Sequence, residues 1–106
     1  MKTNIEVSDY LRGRYNSIKL DKLVDELKVL FSRLESKDIN FPNGLEVYIT
    51  MSAKYQYLYI KVSNWGDFLR VGLFEEAVQE ALENRGFVVG ELDGEDDYFT
   101  MSFDSG

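Results

Sequence analysis

The chain has 106 residues, 44% of them apolar and 14% aromatic, and its 19 acidic side chains outnumber 12 basic ones for a net charge of −7. That length suits one domain with its own core rather than two, and the composition is that of a folding chain. The absence of cysteine and histidine excludes disulfides, thiolate metal sites and imidazole-based catalysis.

No apolar run nears the ~20 residues of a membrane helix. The opening Met1-Lys2-Thr3-Asn4 leads into no signal-peptide core, so a cytoplasmic location is expected. Charge is unevenly placed. Residues 1–37 carry eight basic and six acidic residues (+2), whereas residues 38–106 carry four and thirteen (−9). From Gly72 onward Arg85 alone stands against ten acids. Such a chain repels phosphates and favours a basic protein surface as partner.

Residues 1–16 lack clean periodicity and read as a partly ordered arm, with Ser8-Asp9 capping a short turn that Gly13 interrupts. Residues 17–106 then form a single domain. Its first helix is predicted over 21–35, where Leu20, Leu23, Val24, Leu27, Leu30, Phe31 and Leu34 make one continuous face behind an Asp21 cap. Asn40-Phe41-Pro42-Asn43-Gly44 ends that segment.

Two strands are predicted next, over 45–51 and 57–62, each with strict alternation of apolar and polar residues. Phe68–Gly72, bracketed by Gly66 and Gly72, is expected as a short strand, with the early turns of a helix capped by Asp67 as the alternative. A second helix over 73–85 buries Phe74, Ala77, Val78, Ala81 and Leu82, and Gly86 stands where a left-handed C-cap is needed. Strands over 87–92 and 98–103 complete the chain. The order α-β-β-(β)-α-β-β predicts an α+β domain: an antiparallel four- to five-stranded sheet with two helices on one face.

The last turn, Gly90-Glu91-Leu92-Asp93-Gly94-Glu95-Asp96-Asp97-Tyr98-Phe99, packs five carboxylates into seven positions. Asp93-Gly94 is a hairpin signal. A two-residue loop there would set Glu91 against Asp96, and like charges facing each other are unfavourable. A four-residue loop over 93–96 is therefore expected, pairing Glu91 with Tyr98 and Val88 with Met101. An EF-hand fails in the frames that start at Asp93 and Glu91, because the sixth position is Tyr98 or Asp96 instead of glycine and no glutamate falls at the twelfth. No metal and no cofactor are expected.

Acids at a hairpin tip also serve to keep an edge strand from pairing. Here a second acidic set, Glu75, Glu76, Glu80 and Glu83, lies on the helix just before the hairpin. Together with Glu91, Asp93, Glu95, Asp96 and Asp97 it forms the candidate partner-binding surface. Tyr48, Tyr57 and Tyr59 share the outer face of the first hairpin as a secondary aromatic surface.

No phosphate loop, nucleophile elbow or metal-ligand pair is present, so no catalysis is expected. The expectation is a binding protein whose acidic surface occupies the basic, nucleic-acid-binding groove of another protein such as a nuclease. Phage and mobile-element inhibitors work in that style. The alternative is an interaction or assembly module that uses the tyrosine face, including homodimerisation through it.

Overall fold

The computed structural model describes residues 2–105. The elements run β1 (Thr3–Val7), α1 (Asp9–Arg12), α2 (Ser17–Lys37), β2 (Leu45–Met51), β3 (Leu58–Ser63), α3 (Gly72–Asn84), β4 (Val88–Gly94) and β5 (Tyr98–Asp104). They build an α+β fold, a five-stranded sheet in the order β1-β2-β3-β5-β4 with α2 and α3 packed side by side over it. The sheet is mostly antiparallel, as expected, and mixed at one edge.

That edge is where the expected arm differs. Residues 3–7 form β1, paired parallel to β2 with Ile5 opposite Val47. Their alternation of Thr3, Ile5 and Val7 inward with Asn4 and Glu6 outward turns the apolar side toward the core. The short turn did form as α1, because Ser8 Oγ accepts from the Leu11 amide at 3.1 Å and receives the Thr50 hydroxyl at 2.8 Å. The outer limits of the expected arm and domain, positions 1 and 106, lie outside the described residues.

Two boundaries also move. Helix α2 begins at Ser17 rather than Asp21, since the Asn16 side chain accepts from the amides of Ile18 and Lys19 at 3.0 and 3.2 Å. Asp21 instead lies within the helix and pairs with Arg12. Phe68–Gly72 forms no strand. The Phe68 amide turns back to the Trp65 carbonyl, and Gly72 already opens α3. Gly86, at φ +81, ends α3 as expected. Its amide reaches Glu83 O and the Phe87 amide reaches Leu82 O, a paired closure that needs the left-handed residue.

The core lies between the helices and one sheet face. Leu20, Leu23, Leu27, Leu30 and Phe31 of α2 and the predicted stripe of α3 meet Leu45, Val47, Ile49, Leu58, Ile60, Val62, Phe99, Met101 and Phe103. Phe74 stands at its centre, with ring centroids 5.0 Å from Phe68, 5.7 Å from Phe41 and 5.8 Å from Phe31. Trp65 is buried and stacks on Phe99 at 6.0 Å, so it plugs the core.

The last hairpin turns three residues later than its Asp-Gly signal. The expected four-residue loop over 93–96 does not form: Gly94 pairs with Phe99 and Leu92, not Val88, with Met101, and the Glu95 amide donates to the Tyr98 carbonyl, leaving Asp96-Asp97 as the loop. Neither aspartate adopts a positive φ, so this is not the turn that Asp93-Gly94 anticipates. Beyond Leu92 the register shifts, and Val89 pairs with Phe103. Gly90 and Glu91 therefore bulge opposite Ser102. The shift moves Val88 out of line with the core residues, and it stands 53% exposed opposite Asp104.

A candidate partner-binding surface around the edge strand β4

Strand β4 is the outermost strand on its side, and every residue except Val89 is exposed. It separates two surfaces: the α3 side, which continues onto the helix, and the open sheet face, which neither α2 nor α3 covers. The expected acidic residues are distributed over both.

On the α3 side, Glu75, Glu76, Glu80 and Glu83 fall within about 140° of helix arc, opposite the buried stripe. Glu75, Glu76 and Glu83 line a groove of about 610 Å³ whose other wall includes Val88, Val89 and Leu92 of β4. Glu75 also borders a hollow of about 520 Å³ with Asp67, Glu95 and Asp96. Through Glu75 the helix carboxylates and the hairpin tip join into one strip. Glu80 lies on the same exposed arc but lines neither hollow.

Within the strip, Glu83 accepts from the Gln79 amide at 3.0 Å. The three ion pairs among the described residues are Arg12–Asp21, Arg70–Asp38 and Arg85–Glu26. None uses Glu75, Glu76, Glu80, Glu83 or an acid of residues 91–97. Arg85, the single cation after Gly72, is turned toward α2 by its bond to Glu26. The negative charge here is uncompensated, so it projects into solvent.

On the open face, Glu91 and Asp93 line a groove of about 660 Å³ together with Tyr57 and Tyr59. Asp96 and Asp97 border another hollow with Glu46, Lys61 and Tyr98. Asp96 thus reaches both sides of β4, while Glu91 and Asp93 are separated by the strand from the α3 glutamates. Among the described residues, no three side chains capable of ligating metal converge, and no helix is long and apolar enough to cross a membrane.

The tyrosines sit where alternation placed them. Tyr48 pairs with Lys61, and Tyr59 lies between Thr50 and Ser102, all on the open face. Tyr48 is 40% exposed and Tyr57 is 46% exposed. Tyr57 contacts Tyr59 at 5.7 Å between ring centroids and Tyr55 at 6.3 Å. Burial first, then the neighbouring Tyr57 and Tyr48 hydroxyls, raise the Tyr59 pKa above the ordinary tyrosine value. Its hydroxyl therefore remains a hydrogen-bond donor throughout the neutral range.

The open-face groove was not foreseen. It lies across three strands, β3, β5 and β4, and includes the bulge at Gly90-Glu91. The one sequence signal for it was Gly90, a glycine inside a strand. Neither a protein-family model nor a curated protein matches the chain, so its own geometry and charge must carry the functional reading.

Proposed function

We infer that the chain is a non-catalytic binding domain that engages a basic surface of another protein through the acidic strip of α3 and the β4–β5 hairpin. The observation that carries this reading is Glu75, which borders both the helix groove and the hairpin-tip hollow and so makes the strip continuous. A row of carboxylates without paired cations resembles, electrostatically, the phosphates that a nucleic-acid-binding groove is built to hold. Occupation of such a groove would inhibit a nuclease or another DNA-handling protein.

Displacement of DNA from a panel of purified basic nucleases and DNA-binding proteins tests this reading. The chain is expected to release labelled duplex from a member of the panel, with an effect that fades as salt rises. Replacing Glu75, Glu76, Glu80 and Glu83 together by glutamine is expected to weaken displacement roughly tenfold or more. A quadruple variant that competes as well as the parent at low salt overturns the reading.

A second reading, an interaction module built on the tyrosine face, is favoured by the exposure of Tyr48 and Tyr57 on the sheet face away from α2 and α3. An aromatic contact of that kind would tolerate salt, which separates the two readings in the same assay.

A further inference from the structure

The groove of about 660 Å³ on the open sheet face combines two features that the α3 strip lacks. Tyr57 and Tyr59 line it on the β3 side, Glu91 and Asp93 on the β4 side, and Thr100 and Ser102 of β5 lie between them. No lysine or arginine lines it. An electron-rich ring face beside a carboxylate attracts an organic cation and disfavours an anion.

The molecule itself uses its neighbouring tyrosines this way. Arg14 lies over Tyr10 at 3.8 Å, Lys61 over Tyr98 at 4.5 Å and Lys54 over Tyr55 at 5.1 Å. Among the described residues, no cation lies over Tyr57 or Tyr59.

We propose that this groove receives an arginine side chain from an extended segment of the partner protein, stacked on Tyr57 and Tyr59 and forked against Glu91 or Asp93. Arginine fits better than lysine because its planar guanidinium both stacks on a ring and donates bidentately to a carboxylate. A second copy of the chain fits poorly, since acidic walls would face acidic walls at a net charge of −7. Nucleic acid is repelled by the same walls. The proposal rests on the reading of the partner as a basic protein, but it uses the opposite side of β4 from the helix glutamates.

The test is an amide-resolved NMR titration of the full chain with a capped arginine-containing hexapeptide, the same peptide with citrulline in place of arginine, and free argininamide. The arginine peptide is expected to shift amides of residues 57–59, 91–93 and 100–102, and the citrulline peptide to leave them in place. Tyr59→Leu and Glu91→Gln are each expected to weaken the arginine peptide by roughly threefold to tenfold. Tyr57→Leu repeats the measurement should Tyr59→Leu fail to fold.

Shifts confined to the α3 glutamates overturn the proposal and leave the strip reading standing. Retained groove shifts in the quadruple glutamine variant that has lost duplex displacement support the groove independently of the strip. Argininamide binding as tightly as the peptide overturns the protein-segment assignment in favour of a small cation. Concentration-dependent shifts of the groove amides without any ligand overturn it in favour of self-association.

Discussion

The two edge strands of this sheet occupy equivalent positions and are treated in opposite ways. Strand β1 pairs along its whole length with β2, contacts α2 and buries Thr3 to 7% exposure. Strand β4 is bulged, acidic and exposed at six of its seven positions. One edge belongs to the core, and the other is held at the core's margin by its partner strand. An exposed edge invites pairing with other chains, and a bulge with outward carboxylates blunts that risk. The difference teaches that β4 buries few side chains of its own, so most of them are free to serve binding.

The widest test of that contrast compares the centre of the core with the margin. Phe74→Ala is expected to cost about 3–5 kcal/mol, because it empties the space shared by Phe31, Phe41 and Phe68. Leu92→Ala on β4, 46% exposed in the native state, is expected to cost less than about 1 kcal/mol. Urea denaturation of both variants reads the difference directly. Comparable losses would mean that β4 is structural after all.

A smaller effect probes how the margin is built. A Cβ added at Gly90 would lie 2.4 Å from Ser102 Oγ and 3.2 Å from the Ser102 carbonyl oxygen. The same Ser102 hydroxyl accepts from the Glu91 amide at 2.7 Å, so it cannot rotate away without breaking the bond that seats the bulge. Gly90→Ala is expected to destabilise by about 1–3 kcal/mol. Adding Ser102→Ala removes the nearer clash and should recover part of the loss. A double variant as unstable as the single one would place the strain elsewhere.

These same residues show where sequence reasoning reached and where it stopped. The α2 and α3 stripes, the Gly86 cap and the alternation of β2 and β3 were legible because each is a local period facing one core. Strand β1 was missed although Thr3, Ile5 and Val7 alternate cleanly with Asn4 and Glu6. Its partner lies 42 residues on, and five residues alone do not declare a parallel pairing. The hairpin turn was misplaced because Asp93-Gly94 is a strong local signal that tertiary packing overrode. Burying Phe99, Met101 and Phe103 fixed the register of β5 against β3, and β4 followed with a bulge. Sequence adjacency brought the helix glutamates and hairpin acids together as far as Glu75, Glu95 and Asp96. It could not show that Glu91 and Asp93 turn to the other side.

The last expected effect is a gain on the structural edge. Thr3 points into the core, and its hydroxyl is buried without a hydrogen-bond partner. A buried hydroxyl in that state has given up its bonds to water and received none in return. Valine has the same shape and the same preference for extended backbone, so it fits the site without a cavity or a clash. Thr3→Val is therefore expected to stabilise the fold by about 1 kcal/mol, seen as a higher urea midpoint at unchanged slope. The matching change on the other edge, Asp93→Val, is expected to bring no such gain, because that position faces solvent and the groove, and to favour association between chains. If Thr3→Val instead lowers the midpoint, the hydroxyl has a partner in solution, and β1 is less firmly enclosed than its burial implies.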